Sequence, residues 1–110
     1  MIHVHSSLLE TFETYAVKVL KIEEKDVVFS VAKLFFAYGL GNAVTFPMGV
    51  GATTALFPLR PTPDSVNEIM NKIKPTILFA VPTIYAAMLA NLRRENNVTF
   101  EHLRICVSAG

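Results

Sequence analysis

A single cysteine, Cys106, stands among the 110 residues, so no disulfide can close within the chain. Its place inside an apolar run reads as that of a small buried hydrophobe. Charge is scarce as well: Asp, Glu, Lys and Arg make up 17% of the residues, against about 25% in an average soluble domain. The formal net charge is +1, with no basic stripe and no run of like charges, which removes any electrostatic reason to expect nucleic acid or an anionic membrane as partner. The N-terminus lacks the basic, apolar, small-residue order of a signal peptide, and a cytoplasmic setting is expected. Familiar catalytic signatures are missing too. There is no G-x-S-x-G elbow and no G-x-x-x-x-G-K-S/T phosphate loop, and the GLG within Tyr38 to Gly41 is too short for a dinucleotide fingerprint. His3 and His5 would share one face of a short extended segment, but the further ligands a zinc ion needs are not there, and no metal centre is expected. His102 lies in a polar connection and reads as a surface residue.

What the chain does have is apolar sequence, 52% of it. A free-standing domain of this size needs more polar surface, so the chain either buries a large face in a partner or belongs to a larger protein. The longest stretch without charge runs from Leu34 to Leu59. About 20 apolar residues suffice to span a bilayer. Gly39, Gly41, Asn42, Pro47, Gly49 and Gly51 break it, however, and no belt of Lys and Arg flanks one side. It divides better into a buried helix from Leu34 to about Met48, ended by Gly49 and Gly51, and a strand from Ala52 to Leu56.

Around this centre, Met1 to His5 alternates like a short strand, and Ser7 with Glu10 forms a capping box ahead of a helix whose apolar face carries Leu8, Phe12, Tyr15, Ala16 and Val19. Glu23, Glu24, Lys25 and Asp26 read as a solvated turn. Val27 to Val31 is β-branched or aromatic and reads as a buried strand. Thr62 followed by Pro63 is a helix start, with Val66, Ile69, Met70 and Ile73 on one face and an end near Pro75. Thr76 to Val81 is a further strand. Pro82 and Thr83 open a helix with Ile84, Ala87, Met88 and Leu92 inward, leading to an exposed run from Arg93 to Asn97. Leu103 to Val107 is the last strand.

Four apolar strands alternating with helices through short connections predict an α/β fold of parallel βαβ units with helices on both faces of the sheet. In such sheets ligands bind beyond the carboxyl ends of the strands, here Ala32 to Gly39, Phe57 to Pro61, Val81 to Tyr85 and Ser108 to Gly110. Phe35, Phe36 and Tyr38 are core aromatics by type, but their place after a strand end points to a pocket wall. Ser108, Ala109 and Gly110 are small and would let a ligand approach the backbone. A chain ending at such a turn looks truncated.

Four segments carry a resemblance: KLFFAYGLGNAVTFPMGVGAT (Lys33 to Thr53), RPTP (Arg60 to Pro63), KPTILFAVPTIYAAML (Lys74 to Leu89) and LRICVSAG (Leu103 to Gly110). In order and spacing the chain resembles the AMP-forming, adenylate-forming ligases of the acyl-CoA synthetase and luciferase superfamily, and most closely their benzoate–CoA ligase branch. The resemblance implies a flavodoxin-like subdomain of the ligase large domain, a small aromatic carboxylate as substrate, and ATP, Mg²⁺ and coenzyme A as cofactors of the full-length enzyme. It places Phe36, Ala37, Tyr38, Gly39, Ala109 and Gly110 around the acyl group and Ser108, Ala109 and Gly110 beside the nucleotide, with Tyr38, Ala37 and Ala109 walling a slot for the ring. Pro82, Thr83 and Tyr85 fall near by on the same pattern, and no catalytic or metal-binding residue is assigned. The family's phosphate loop would lie just before Met1, and its adenine and ribose residues and small C-terminal domain beyond Gly110. The expectation is therefore an internal piece of the large domain, inactive by itself and self-associating through bare faces. The alternative from a different class is a self-standing flavodoxin-like module that binds a small ligand at the same strand ends.

Overall fold

The computed structural model describes residues 2–92 and 99–110, so the stretch from Arg93 to Asn97 lies outside the described residues. Four strands, β1 (Val27–Ser30), β2 (Thr53–Ala55), β3 (Ile77–Ala80) and β4 (Ile105–Ser108), form one sheet in the order β2-β1-β3-β4. Every pairing is parallel, with Val28 opposite both Thr54 and Ile77, and Leu78 opposite Cys106. This α/β architecture is the one expected, and its strand order is that of the flavodoxin-like doubly wound sheet. Side chains alternate across the sheet as the pleat requires. Val28, Ile77 and Phe79 face one layer, where they meet Ala16, Leu20, Ile22 and Phe46. Phe29, Leu78 and Ala80 face the other, where they meet Val66, Met70 and Met88. Each of the large apolar side chains in these layers contributes about 1.5–3 kcal/mol by leaving water.

Helix α1 starts at Ser6–Thr11 and continues without a break as a π-helical run, Phe12–Leu20. Its first residue is preceded by His5, with no side-chain cap, so the expected Ser7 and Glu10 capping box does not form, and residues 2–5 make no strand. The wider π turn also changes which residues point inward. Ala16 and Leu20 are buried and Phe12 and Tyr15 pack beside them, whereas Val19, expected on the apolar face, is exposed. Leu8, expected there too, is exposed in the α-helical start, which buries none of its residues. The hydroxyls of Thr11 and Thr14 donate to the carbonyls of Ser7 (3.0 Å) and Glu10 (2.6 Å), a competition for carbonyls that loosens a helix.

Helix α2 follows β1 and is likewise composite: Ala37–Leu40, a π-helical segment Gly41–Thr45, then Phe46–Val50. It begins three residues later than expected, because residues 34–36 form a turn. Gly51 ends it with a left-handed φ of 76°, as a glycine can. The longest uncharged stretch is thus a helix, a turn and a strand, and among the described residues no helix is long and apolar enough to cross a membrane. Helix α3 (Pro63–Ile73) starts at the expected Thr62, whose hydroxyl accepts from the Ser65 backbone while Ser65 returns a bond to the Thr62 N–H. Helix α4 (Pro82–Leu92) joins β3 to β4.

At the amino end of the sheet, residues just before three strands lock together. Asp26, expected in a solvated turn, is 1% exposed. Its carboxylate accepts from the Thr76 hydroxyl (2.7 Å), the Glu23 N–H (2.8 Å) and the Arg104 guanidinium, whose Nε lies 2.8 Å away and whose Nη2 forms the second, shorter contact of a bidentate pair. Arg104 Nη2 also donates to the Lys21 carbonyl at 3.0 Å. Burial by itself would raise the Asp26 carboxyl, but the Arg104, Glu23 and Thr76 hydrogen bonds outweigh it and hold the carboxyl at about 2. Cys106 is exposed rather than buried: β4 is the last strand of the described sheet, and only its Ile105 and Val107 turn into a packed layer. His102 is not the solvated residue expected; its Nε2 is buried and has no partner among the described residues.

Candidate substrate pocket at the strand ends

Beyond the carboxyl ends of β3 and β4, helix α2 leans over the sheet and leaves a cavity of about 300 Å³. Its walls are Ala37, Tyr38, Gly41, Asn42 and Phe46 from α2, Val107, Ser108 and Ala109 from β4 and its end, and Tyr15 from α1. None of these side chains carries a charge. Tyr38 is pinned across the sheet. Its hydroxyl lies 3.3 Å from the carbonyls of both Ala80 and Val107, and its ring meets Phe79 edge-on with centroids 6.3 Å apart. Burial, with a smaller effect from Tyr15, pushes the Tyr38 hydroxyl up to about 12, so it remains a neutral donor at ordinary pH. From the opposite face Tyr85 reaches the same place, its hydroxyl 2.9 Å from Val107 O and 3.0 Å from Leu78 O and sharing its one proton between them, and burial pushes that phenol up as well. The two tyrosines thus brace the end of β4 from above and below. Tyr15 and Phe46 stack at a tilt, 5.9 Å between centroids, and both line the cavity.

Of the residues expected around a ligand, Ala37, Tyr38, Ser108 and Ala109 come together on this cavity. The others sit beside it. Phe36 precedes α2 and is exposed, its ring 4.6 Å from that of Phe35. Gly39 is buried against the preceding turn, and a Cβ there would lie 2.1 Å from the Lys33 carbonyl oxygen, so only glycine lets α2 start this close to the end of β1. Gly110 takes a left-handed φ of 113° beside Val81. Lys33 faces away from the cavity, its ammonium donating to the carbonyls of Phe57 (2.7 Å) and Leu59 and tying down the loop after β2.

Two wall residues were not foreseen as such. Asn42 reads in sequence as a helix breaker, yet it is 2% exposed and its side-chain Nδ2 has no partner among the described residues. The available signal was an amide alone in an otherwise uncharged stretch, four residues after Tyr38. Tyr15 had been placed on the apolar face of α1, and only the packing of α1 against α2 brings it to the cavity. A second hollow of about 480 Å³ lies between the start of α1 and α2, lined by His3, Val4, Leu8, Leu40 and Phe46 among others. It adjoins the first, sharing Ala37, Gly41 and Phe46 with it, but takes no residue from β3 or β4. No group of three or more His, Cys, Asp or Glu that could hold a metal ion occurs among the described residues.

With this geometry in view, known proteins similar to the chain are informative. It matches the AMP-binding enzyme family over residues 1–110. It is 56% identical over its full length to a 4-hydroxybenzoate–CoA/benzoate–CoA ligase of Rhodopseudomonas palustris and 52% identical over 99% of its length to a benzoate–CoA ligase of Thauera aromatica. Its fold superposes on the crystal structure of a benzoate CoA ligase from Burkholderia xenovorans with a TM-score of 0.89 at 49% identity, covering 98% of this chain and 22% of that one. An anthranilate CoA ligase in complex with anthranoyl-AMP superposes with a TM-score of 0.91 at 39% identity, covering 98% and 21%. The chain spans 20% of the length of each of the two curated relatives. A family match along the whole chain, together with the fold agreement, leads to one conclusion: the chain belongs to the AMP-binding enzyme family.

Proposed function

We propose that this chain is part of an aromatic acid–CoA ligase that activates a benzoate-like carboxylate with ATP and passes the acyl group to coenzyme A. In that chemistry a carboxylate oxygen attacks the α-phosphorus of ATP, pyrophosphate leaves, and the coenzyme A thiol then displaces AMP from the acyl-adenylate. Within the enzyme the chain forms one α/β subdomain of the large domain, in a cytoplasmic protein. The observation that carries this reading is the uncharged cavity at the strand ends, walled by flat aromatic rings and by small Ala37 and Ala109 in a chain so similar to benzoate–CoA ligases. At about 300 Å³ it is at the small end of the range for ligand sites, as a single ring needs. Ser108 and Ala109, exposed at its mouth, with Gly110 next in the chain, are where the carboxylate and the nucleotide meet in this reading. Among the described residues no group of three or more His, Cys, Asp or Glu stands together to hold Mg²⁺.

Pyrophosphate release by the full-length protein carrying this segment tests the reading: benzoate-dependent release is expected, and failure with benzoate and all hydroxybenzoates overturns it. The 110-residue chain by itself should release none, since the positioned donors and cations that stabilise phosphoryl transfer lie elsewhere. It should also self-associate, because Phe35, Met48, Leu56 and Leu59 are exposed and β2 and β4 end the described sheet. Light scattering of the purified chain that finds only a 12.2 kDa monomer removes that expectation.

A further inference from the structure

Asn42 is the unexplained group of the cavity. Its side chain is 2% exposed, it lines the hollow, and Nδ2 has no hydrogen-bond partner among the described residues. Buried polar groups are almost always satisfied, and one that is not calls for a ligand or a water. Three other wall side chains carry a hydroxyl: Tyr38 is already committed to the carbonyls of Ala80 and Val107, Ser108 is exposed, and Tyr15 is only half-buried, so Asn42 alone is both buried and unanswered among them. Depth then orders the site. Ala37, Ser108 and Ala109 are exposed at the mouth, while Asn42 and Phe46 are buried at the base. A reacting carboxylate has to stay at the mouth to meet a nucleotide, so the ring points inward and its far edge arrives at Asn42.

We infer that the Asn42 side-chain amide is a specificity-determining contact that receives a hydroxyl on the far edge of the substrate ring. The inference rests on the aromatic-acid reading above and sharpens it to phenolic acids. An amide suits this task because its N–H₂ donates and its carbonyl accepts, and a phenol can do both in return. No cation lines the cavity, so a second carboxylate on the ring would be buried without compensation, and dicarboxylic acids are excluded. A π-helical turn places the residue: Gly41–Thr45 is wound more widely than the helix on either side, and Asn42 lies within it.

The test is adenylation kinetics of the full-length protein carrying this segment, with benzoate and 4-hydroxybenzoate compared in the unsubstituted enzyme and in Asn42→Leu, which keeps the volume and removes the hydrogen bonds. Expected is a fall in kcat/KM for 4-hydroxybenzoate about tenfold or more beyond any fall for benzoate, because a site built for a hydroxyl loses that discrimination with its polar partner. Equal falls for both acids, or no change for either, overturn the inference and leave the aromatic-acid reading standing. No turnover of any benzoate by the unsubstituted enzyme overturns both. Should Asn42→Leu not fold, Asn42→Ser serves in its place: a selective loss on the phenolic acid supports the contact, and an equal loss overturns it.

Discussion

The two ends of the sheet are built on opposite principles. At the amino end Asp26, Thr76 and Arg104 meet in a closed network in which the buried carboxylate is bonded on both oxygens, and the residues come from the lead-ins to β1, β3 and β4. At the carboxyl end the same strands open onto an uncharged cavity, with Phe35 and Phe36 exposed and the Asn42 amide unanswered among the described residues. At one end a buried carboxylate is satisfied internally, and at the other a buried amide nitrogen is not. Satisfied networks hold strands in register, whereas a binding site has to keep its hydrogen-bonding capacity for something that comes and goes.

Breaking the closed end should have the largest effect. Asp26→Asn removes the charge partner of Arg104 and should cost about 2–3 kcal/mol in denaturant unfolding, less than a fully buried pair because the Arg104 side chain is 35% exposed and water partly compensates it. An unchanged midpoint would show that the two ends do not differ in the way described.

The next effect down is the response to acid. The Asp26 carboxyl lies at about 2 in the folded chain, below its usual value of 3.8, so the folded state binds its proton less readily than the unfolded one. The stabilisation is fully present above the unfolded value and is lost as pH falls through about 2, amounting to about 2 kcal/mol. Comparing unfolding midpoints between pH 6 and pH 2 in the parent chain and in Asp26→Asn checks this, since the substituted chain should lose less.

A smaller free-energy change is expected at the open end. Ala37→Phe fills the cavity mouth and, in the full-length protein, should raise KM for benzoate about tenfold, or about 1.4 kcal/mol, with little change in KM for ATP. Equal changes for both substrates would make Ala37 an ordinary packing residue.

Legibility in the sequence followed the same division between local and distant causes. The start of α3 could be read because Thr62, Pro63 and Ser65 act on one another within a single turn. Strands β1 and β3 could be read because both of their faces are covered, which leaves unbroken apolar runs. Asp26 could not, because its main partner is 78 residues away and its neighbours Glu23, Glu24 and Lys25 are the exposed cluster it seemed to belong to. The inward face of α1 departs from the α-helical period at Val19 because the chain winds there as a π-helix, whereas Leu8 is exposed because the α-helical start, Ser6–Thr11, buries none of its residues. In the pocket, Ala37, Tyr38, Ser108 and Ala109 were legible from their places after strand ends and from the resemblance of their segments. Tyr15 and Asn42 were not, since both depend on how α1 and α2 pack.

The sequence alone thus determined the alternation of strands and helices and the parallel sense of the sheet, because these follow from periodicity, turn residues and short connections. Tertiary structure alone decided the strand order, the burial of Asp26 under Arg104, the exposure of Cys106 on the last described strand, and the placing of Asn42 at the base of the cavity. The reason is physical: which face of a residue loses water depends on segments far along the chain, and only their packing chooses which polar groups are paired and which are left for a ligand.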